Sequence, residues 1–361
     1  MPSMPASTSG RPPATPERVP APELERWSRT VLEAAGLERE PAATVAETLV
    51  WASLRGVDSH GVARLPVYVE RLRSGVLNPR PRPSVVRRDG TIAVVDGDSG
   101  PGQVAAVLAS DLSIELAREH GTGVVVVRRS GHYGAAAFYA MHAAAAGLIG
   151  VSLTNTEPLM VPYGGAEPAL GTNPIAFAAP AGDAIFNLDM ATSQVAYNRV
   201  MNARDEGRPI PEGWAVDEQG RSTTDPAAAV SVVPLGGYKG FGLALIVEVL
   251  CGVLAGAGVR HGVGKLYSGG TARQNTGHFH LAIDPERTVG RDAFSTVLAG
   301  VLDELRAIPP APGFDEVLVA GDPEDRARAE RERSGIPIEP ALWAQLTALA
   351  DELGVRAPAA S

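Results

Sequence analysis

His60, Arg64 and Tyr68 follow one another at intervals of four residues. On a helix that spacing stacks an imidazole, a guanidinium and a phenol along one face. An arginine can grip a carboxylate with two parallel hydrogen bonds, and a histidine gives or takes a proton near neutral pH. The stripe therefore reads as an anion and proton site, or as a polar face turned to solvent. Asp58 and Ser59 stand just ahead of it. Both are favoured helix N-caps, which accounts for them without chemistry but leaves His60 and Arg64 unexplained.

A second histidine, His132, sits in the glycine-flanked turn Ser130-Gly131-His132-Tyr133-Gly134, after a β-branched run. Such a turn at a strand's end suits a ligand contact, and equally a surface loop. In Leu235 to Gly242, four glycines and Lys239 precede an apolar run, Leu243 to Leu254. Glycine lets backbone N–H groups approach a ligand, a helix N-terminus favours an anion, and lysine adds a full charge. The segment fits a phosphate-bearing ligand or a tight strand-to-helix turn. It is not a P-loop, because no Gly-Lys-Ser/Thr closes it. Gly171-Thr172-Asn173-Pro174 and Asp189-Met190-Ala191-Thr192-Ser193 put short hydrogen-bonding side chains at strand ends, where turn chemistry alone would also place them. His278 and His280 would share one face of a strand, but no acidic or cysteine cluster joins them, so a structural role is expected and no metal site. Gly100-Pro101-Gly102-Gln103-Val104-Ala105 matches the G-x-G-x-x-A dinucleotide fingerprint. The acidic strand end due about 20 residues later is missing, so these glycines are expected to serve close helix–strand packing.

The elements that must carry these residues read as α/β. Helices are expected at 23–35, 42–54 and 62–74, strands at 91–96, 124–127, 149–153, 175–178, 186–190 and 281–283, and helices at 102–120, 135–147, 192–206, 294–305, 325–333 and 340–353. The 361 residues exceed one compact core, so two or three domains are expected. A net charge of −9 with no basic stripe argues against nucleic acid and against an anionic membrane surface. The one cysteine, Cys251, falls inside the apolar run and is expected to pack there, in keeping with a reducing cytoplasm. Met1 to Pro22 has no apolar core of a signal peptide, and its Pro-, Ser- and Ala-rich composition predicts a disordered tail. The run at 243–254 is too short to cross a bilayer.

Taken in order, Asp58-Ser59-His60-Gly61-Val62-Ala63-Arg64, Gly131-His132-Tyr133-Gly134, Tyr163-Gly164-Gly165, Gly171-Thr172-Asn173-Pro174, Asp189-Met190-Ala191-Thr192-Ser193, Ile210-Pro211-Glu212-Gly213-Trp214 and Pro234 to Gly242 are far more specific than any one alone. Over about residues 23–350 the chain resembles the malate/L-lactate dehydrogenase family of the second type, which is unrelated to the Rossmann-fold lactate and malate dehydrogenases. The family includes ureidoglycolate dehydrogenase, sulfolactate dehydrogenase, diketogulonate reductase and Δ1-piperideine-2-carboxylate reductase.

The resemblance implies a non-Rossmann NAD(P)-binding α/β domain on a large, mostly antiparallel sheet, expected here at 89–305. It implies a mainly helical domain at 23–88, completed by 306–355. It implies reversible, NAD- or NADP-dependent hydride transfer on a small 2-oxo/2-hydroxy acid, or on the matching cyclic imine, in a cytoplasmic homodimer. Carried over, His60 is the proton donor with Ser59 beside it, although some members place the acid/base at the position of His132. Arg64 would hold the substrate carboxylate, with Tyr68 and Thr172 near it. His132, Tyr133, Gly134, Ala135, Ala136, Thr172, Asn173, Met190, Ala191, Thr192, Lys239 and Gly240 would line the cofactor. Two segments depart from the family. Tyr197-Asn198-Arg199 stands where a Gly-Lys pair is usual, which bears on the choice between NAD and NADP, and Ala320-Gly321-Asp322 stands where Pro-Gly-Glu is frequent. Two rival expectations remain: an imine reductase on the same fold, and a non-catalytic cofactor-binding homologue.

Overall fold

The computed structural model describes residues 16–266 and 272–358. The chain opens with a short strand, β1 (Glu17–Val19), and three helices, α1 (Ala21–Ala34), α2 (Arg39–Leu54) and α3 (Leu65–Arg73). Its middle part runs β2 (Ser84–Asp89), β3 (Ile92–Asp96), α4 (Gly102–His120), β4 (Thr122–Ser130), α5 (Ala137–Ala145), β5 (Ile149–Thr154), β6 (Ile175–Ala181), β7 (Ala184–Met190) and α6 (Tyr197–Asp205). Three two-residue strands follow, β8 (Ala215–Val216), β9 (Ser222–Thr223) and β10 (Ser231–Val232), then α7 (Tyr238–Val247), which runs into a π-helical turn (Glu248–Val253). The last part holds β11 (Thr276–Ile283), α8 (Arg291–Arg306), α9 (Asp322–Ser334), β12 (Ile336–Ile338) and α10 (Pro340–Glu352).

Seven strands form the main sheet in the order β2-β3-β4-β11-β5-β6-β7. Only β3 and β4 pair in parallel, joined by α4, and every other neighbour is antiparallel. This is a mixed α/β fold without a doubly wound parallel sheet. Strand β4 shows why its sequence is an unbroken β-branched run. Val125 and Val127 pack under α4 with Ala109 and Leu116, whereas Val126 packs on the opposite face with Val247, Cys251 and Phe279. A strand covered on both faces has no polar side to show.

The helical layer is built from both ends of the chain. Leu24, Val31, Leu49, Leu65, Val69, Ile336, Ile338, Leu346 and Ala350 share one buried core. Of the tail expected to be disordered, residues 1–15 lie outside the described residues. Glu17–Val19 instead pair antiparallel with Ile336–Ile338. The buried Val19 side chain supplies a reason for that ladder to form.

Three local expectations need correction. The third helix begins at Leu65 rather than Val62, because Gly61 is extended (φ −88°, ψ −151°) and splits the segment into two single 3₁₀ turns, Asp58–His60 and Val62–Arg64. Pro66, which has no N–H to give, then sits in the first turn of α3. The sixth helix begins at Tyr197 rather than Thr192, since Thr192 is tied to the Thr172 carbonyl through both its N–H and its hydroxyl, each at 2.9 Å. The apolar run after Gly242 contains Glu248, which is buried. Its Oε2 accepts from Asn173 Nδ2 at 3.0 Å and its Oε1 from the Arg260 N–H at 2.6 Å.

The glycines of the dinucleotide-like segment serve packing, as expected. A Cβ on Gly102 would lie 2.1 Å from the Gly131 carbonyl oxygen and 2.7 Å from that of His132. The bare glycine lets the first turn of α4 touch the turn that carries His132, and the Gly102 N–H donates to the His132 carbonyl at 3.1 Å. No helix among the described residues is long and apolar enough to cross a membrane.

Candidate active site

A cleft of about 770 Å³ opens between the helical layer and the sheet. Its wall includes the end of α2 and the 3₁₀ turn after it, with Ser59 and His60. It also includes the turn after β4, with His132, Tyr133, Gly134, Ala135 and Ala136, and the end of β7, with Asp189, Met190 and Ala191. Thr172, Tyr197, Arg199 and the stretch around Gly321 to Glu324 complete it. Among the described residues no group of three or more acidic, histidine or cysteine side chains could hold a metal.

The two histidines lie side by side on the wall of this cleft. Their rings stack with centroids 5.6 Å apart and planes 18° from parallel. His60 Nδ1 is 2.9 Å from Ser59 Oγ, which fixes the ring's direction. Withdrawal from bulk water and then the positive charge of Arg64 push His60 down to about 4. His132 is held well below its ordinary value by burial first, then by His60 and Arg64. At neutral pH the site therefore presents two uncharged imidazoles. Arg64 lies behind the pair, its Nε donating to the Ser59 carbonyl at 2.5 Å. Tyr68 is buried, with its hydroxyl 2.6 Å from His132 Nδ1. So His60, Arg64, Tyr68 and His132 are brought together, although the stripe is not one continuous helix and neither Arg64 nor Tyr68 forms the cleft wall itself.

The turn that carries His132 is tied down on both sides. Its N–H donates to Gln274 Oε1 at 2.9 Å, and its carbonyl accepts from Gly102. Tyr133 is buried in a stack between Tyr139 and His278, at 4.8 and 4.5 Å. His278 uses both ring nitrogens, Nδ1 toward Thr154 Oγ1 at 2.8 Å and Nε2 toward Ser130 Oγ at 2.7 Å. This structural role is the one its sequence position suggested. His280 lies beside it, pushed down to about 3 by burial.

Four residues expected at the cofactor do not line this cleft. Asn173 is fully buried and spent on the fold: Oδ1 accepts from the Thr156 N–H, and Nδ2 donates to the Ala244 carbonyl and to Glu248. Thr192 is buried against the Thr172 carbonyl. Gly240 is packed so closely that a Cβ would lie 2.4 Å from Leu235 N and 2.6 Å from the Thr192 carbonyl oxygen. Lys239 is exposed on the first turn of α7.

Several groups at the site escaped the sequence reading. Asp189 reads from the sequence only as part of a turn. Its Oδ2 accepts from the Ala137 N–H at 2.8 Å, and it opens into the cleft. Solvent reaches it through the open cleft, yet the protein atoms crowded around its carboxyl push it up to about 6. Arg71 continues the stripe three residues past Tyr68, a signal that was available. It is buried and donates to the Lys265 carbonyl at 3.1 Å. Gln103 lies inside the dinucleotide-like segment, where only the glycines carry a signal. It is buried, with Nε2 donating to the Tyr68 hydroxyl at 2.8 Å. Nothing in its neighbours' spacing marks Gln274. Asp58 also belongs to the cleft wall, but its carboxylate takes Arg331 of α9 through two hydrogen bonds, at 2.6 and 3.0 Å.

Residues 19–347 match the family model for malate/L-lactate dehydrogenase. The chain is similar to ureidoglycolate dehydrogenase (NAD(+)) of Escherichia coli O157:H7, at 42% identity over 305 residues, covering 84% of this chain and 87% of that protein. Among solved structures it is similar to sulfolactate dehydrogenase from Methanocaldococcus jannaschii, with a TM-score of 0.88 and 38% identity over 94% of this chain and 98% of that one. It is also similar to delta1-piperideine-2-carboxylate reductase from Pseudomonas syringae, with a TM-score of 0.84 and 31% identity over 92% and 99% of the two chains.

Proposed function

This chain belongs to the malate/L-lactate dehydrogenase family, and from that premise we propose that the cleft around His60 and His132 is where it oxidises and reduces its substrate. The activity is nicotinamide-dependent oxidoreduction of a small 2-hydroxy or 2-oxo acid. The observation that carries the site assignment is the stacked, uncharged imidazole pair beside Arg64, on the wall of a cleft of about 770 Å³. That volume is within the range of cofactor-sized sites. The wall from Gly134 to Ala137 bears nothing larger than a methyl group, so a flat ring can approach it closely.

When bound, the nicotinamide supplies the hydride chemistry. The chain's own residues orient and move the proton. Arg64 supplies the charge that draws the substrate carboxylate, with its Nε anchored on Ser59 so that the guanidinium plane is set. His60 exchanges a proton with the substrate oxygen, oriented by Ser59. Held at about 4, it is ready as a base in the oxidative direction. A bound carboxylate offsets the Arg64 charge and raises the proton affinity of His60, which equips it as the acid in the reverse direction. Met190, Ala191, Thr172 and the 132–136 turn line the cofactor in this reading, and Lys239 takes its diphosphate. Support for Lys239 is indirect: Gly240 packs on Thr192, the neighbour of the cleft residue Ala191.

The test is purified protein with NADH and with NADPH against a panel of 2-oxo acids and cyclic imino acids, read as loss of reduced-nicotinamide absorbance. No loss with any pair would overturn the reading. The likeness to the piperideine-carboxylate reductase favours a second reading, reduction of a cyclic or N-alkyl 2-imino acid. Faster turnover of pyruvate when methylamine is added would support it.

We place a homodimer contact on α7 and its π-helical turn. Ile246, Val249, Val253 and Leu254 are 54, 52, 66 and 55% exposed there, an apolar face without cover in one chain. A cytoplasmic location agrees with the single buried cysteine.

A further inference from the structure

The dehydrogenase reading leaves two imidazoles in one site and no division of labour between them. The hydrogen bonds behind His132 supply one. His132 Nδ1 stands 2.6 Å from the Tyr68 hydroxyl, and that hydroxyl accepts the Gln103 Nε2 N–H at 2.8 Å. Tyr68 and Gln103 are 2% and 0% exposed, so this chain runs through the interior. A phenol oxygen that accepts an amide N–H has a lone pair occupied and becomes a stronger donor through its own O–H. His132 Nδ1, at 2.6 Å, is within reach as its acceptor. A neutral imidazole with an acceptor Nδ1 carries its proton on Nε2. Among the described residues nothing bonds His132 Nε2, and His132 is part of the cleft wall.

We propose that Gln103 is a positioning residue: acting through Tyr68, it fixes His132 as the Nε2–H tautomer and so makes that ring a hydrogen-bond donor into the cleft. His132 then holds the substrate oxygen while His60 exchanges the proton. The proposal rests on the dehydrogenase reading for this division of roles, but the tautomer itself does not. Gln103 owes its place to the close contact of α4 with the 131–132 turn that Gly102 permits.

The test is nitrogen NMR of the full chain labelled with ¹⁵N-histidine, without cofactor, with His132 assigned by loss of its signals in His132→Asn. The expected result is an Nε2–H tautomer in the wild type and a mixture of tautomers in Gln103→Met, which keeps the volume and removes the N–H. Tyr68→Phe, which removes the donor to Nδ1, should also give a mixture. An Nδ1–H wild type, or an unchanged tautomer in Gln103→Met, would overturn the proposal. Gln103→Met should also lose roughly 10- to 100-fold in kcat, the usual cost of a supporting partner, with the Kd for NADH unchanged. Equal losses in kcat and NADH affinity would indicate a purely structural role and count against it. If no substrate is ever turned over, the dehydrogenase reading fails while the tautomer result stands or falls on its own.

Discussion

His60 is the residue of the cleft wall on which the proposed proton exchange rests, and its chemistry departs from its ordinary solution behaviour. An imidazole normally titrates near 6.5, and here burial and Arg64 take it to about 4. The sign follows directly. A lowered value means the folded free enzyme keeps the ring unprotonated through the neutral range and into mild acid. The profile of kcat/KM for hydroxy-acid oxidation, which reports the free enzyme, should therefore stay flat down to about pH 5 and fall only toward pH 4. His60→Ala should remove that limb and lower turnover by about 10²–10⁴-fold. A limb near pH 6.5 in the wild type would take the proton exchange away from His60. Asp189 is pushed up to about 6 and does not mimic this limb, because its loss of charge would set in nearer neutral pH.

At the scale of elements, the site depends on a few close backbone approaches. Gly102 is one of them, since any Cβ there would overlap the carbonyl oxygens of Gly131 and His132. Gly102→Ala should cost about 1–3 kcal/mol and displace the His132 turn. Thermal melting should show the first effect and a lower kcat the second, and a fully active, unshifted variant would contradict the packing described. The same element shows how legible the sequence was. Helix α4 begins and ends where its pattern placed it, because Pro101, Gly102 and Gly121 mark both ends. The fingerprint's glycines serve packing, as the missing acidic strand end implies, but Gln103 among them is not legible, because its partner Tyr68 comes from another part of the chain. His60, Arg64 and Tyr68 are legible as a group through spacing, although Gly61 splits the segment before α3 into two single 3₁₀ turns. Asn173 and Thr192 were legible as important positions but not as structural ones. Whether a short polar side chain faces a ligand or a neighbouring loop depends on long-range packing, which spacing does not encode. Strand β2 was missed because all six of its residues are exposed and carry no buried alternation.

For the whole molecule, the apolar face of α7 and its π-helical turn predicts association. A sedimentation or light-scattering mass should correspond to two chains, and Val249→Glu, at a position 52% exposed, should shift it toward one. A wild-type mass of a single chain would remove that face from its proposed role. Residues near both ends of the described chain also meet. Strand β1 pairs with β12, and the helical core draws on residues from Val19 to Ala350.

The grip of Arg331 on Asp58 has a consequence for how this protein comes into being. Every motif of the site has left the ribosome by the time Gly240 emerges, but the side chain that braces the turn next to His60 is added some ninety residues later. A nascent or truncated chain ending before α9 would hold all its recognisable signatures and still lack that brace. The turn beside His60 gains this brace only once α9 has been made.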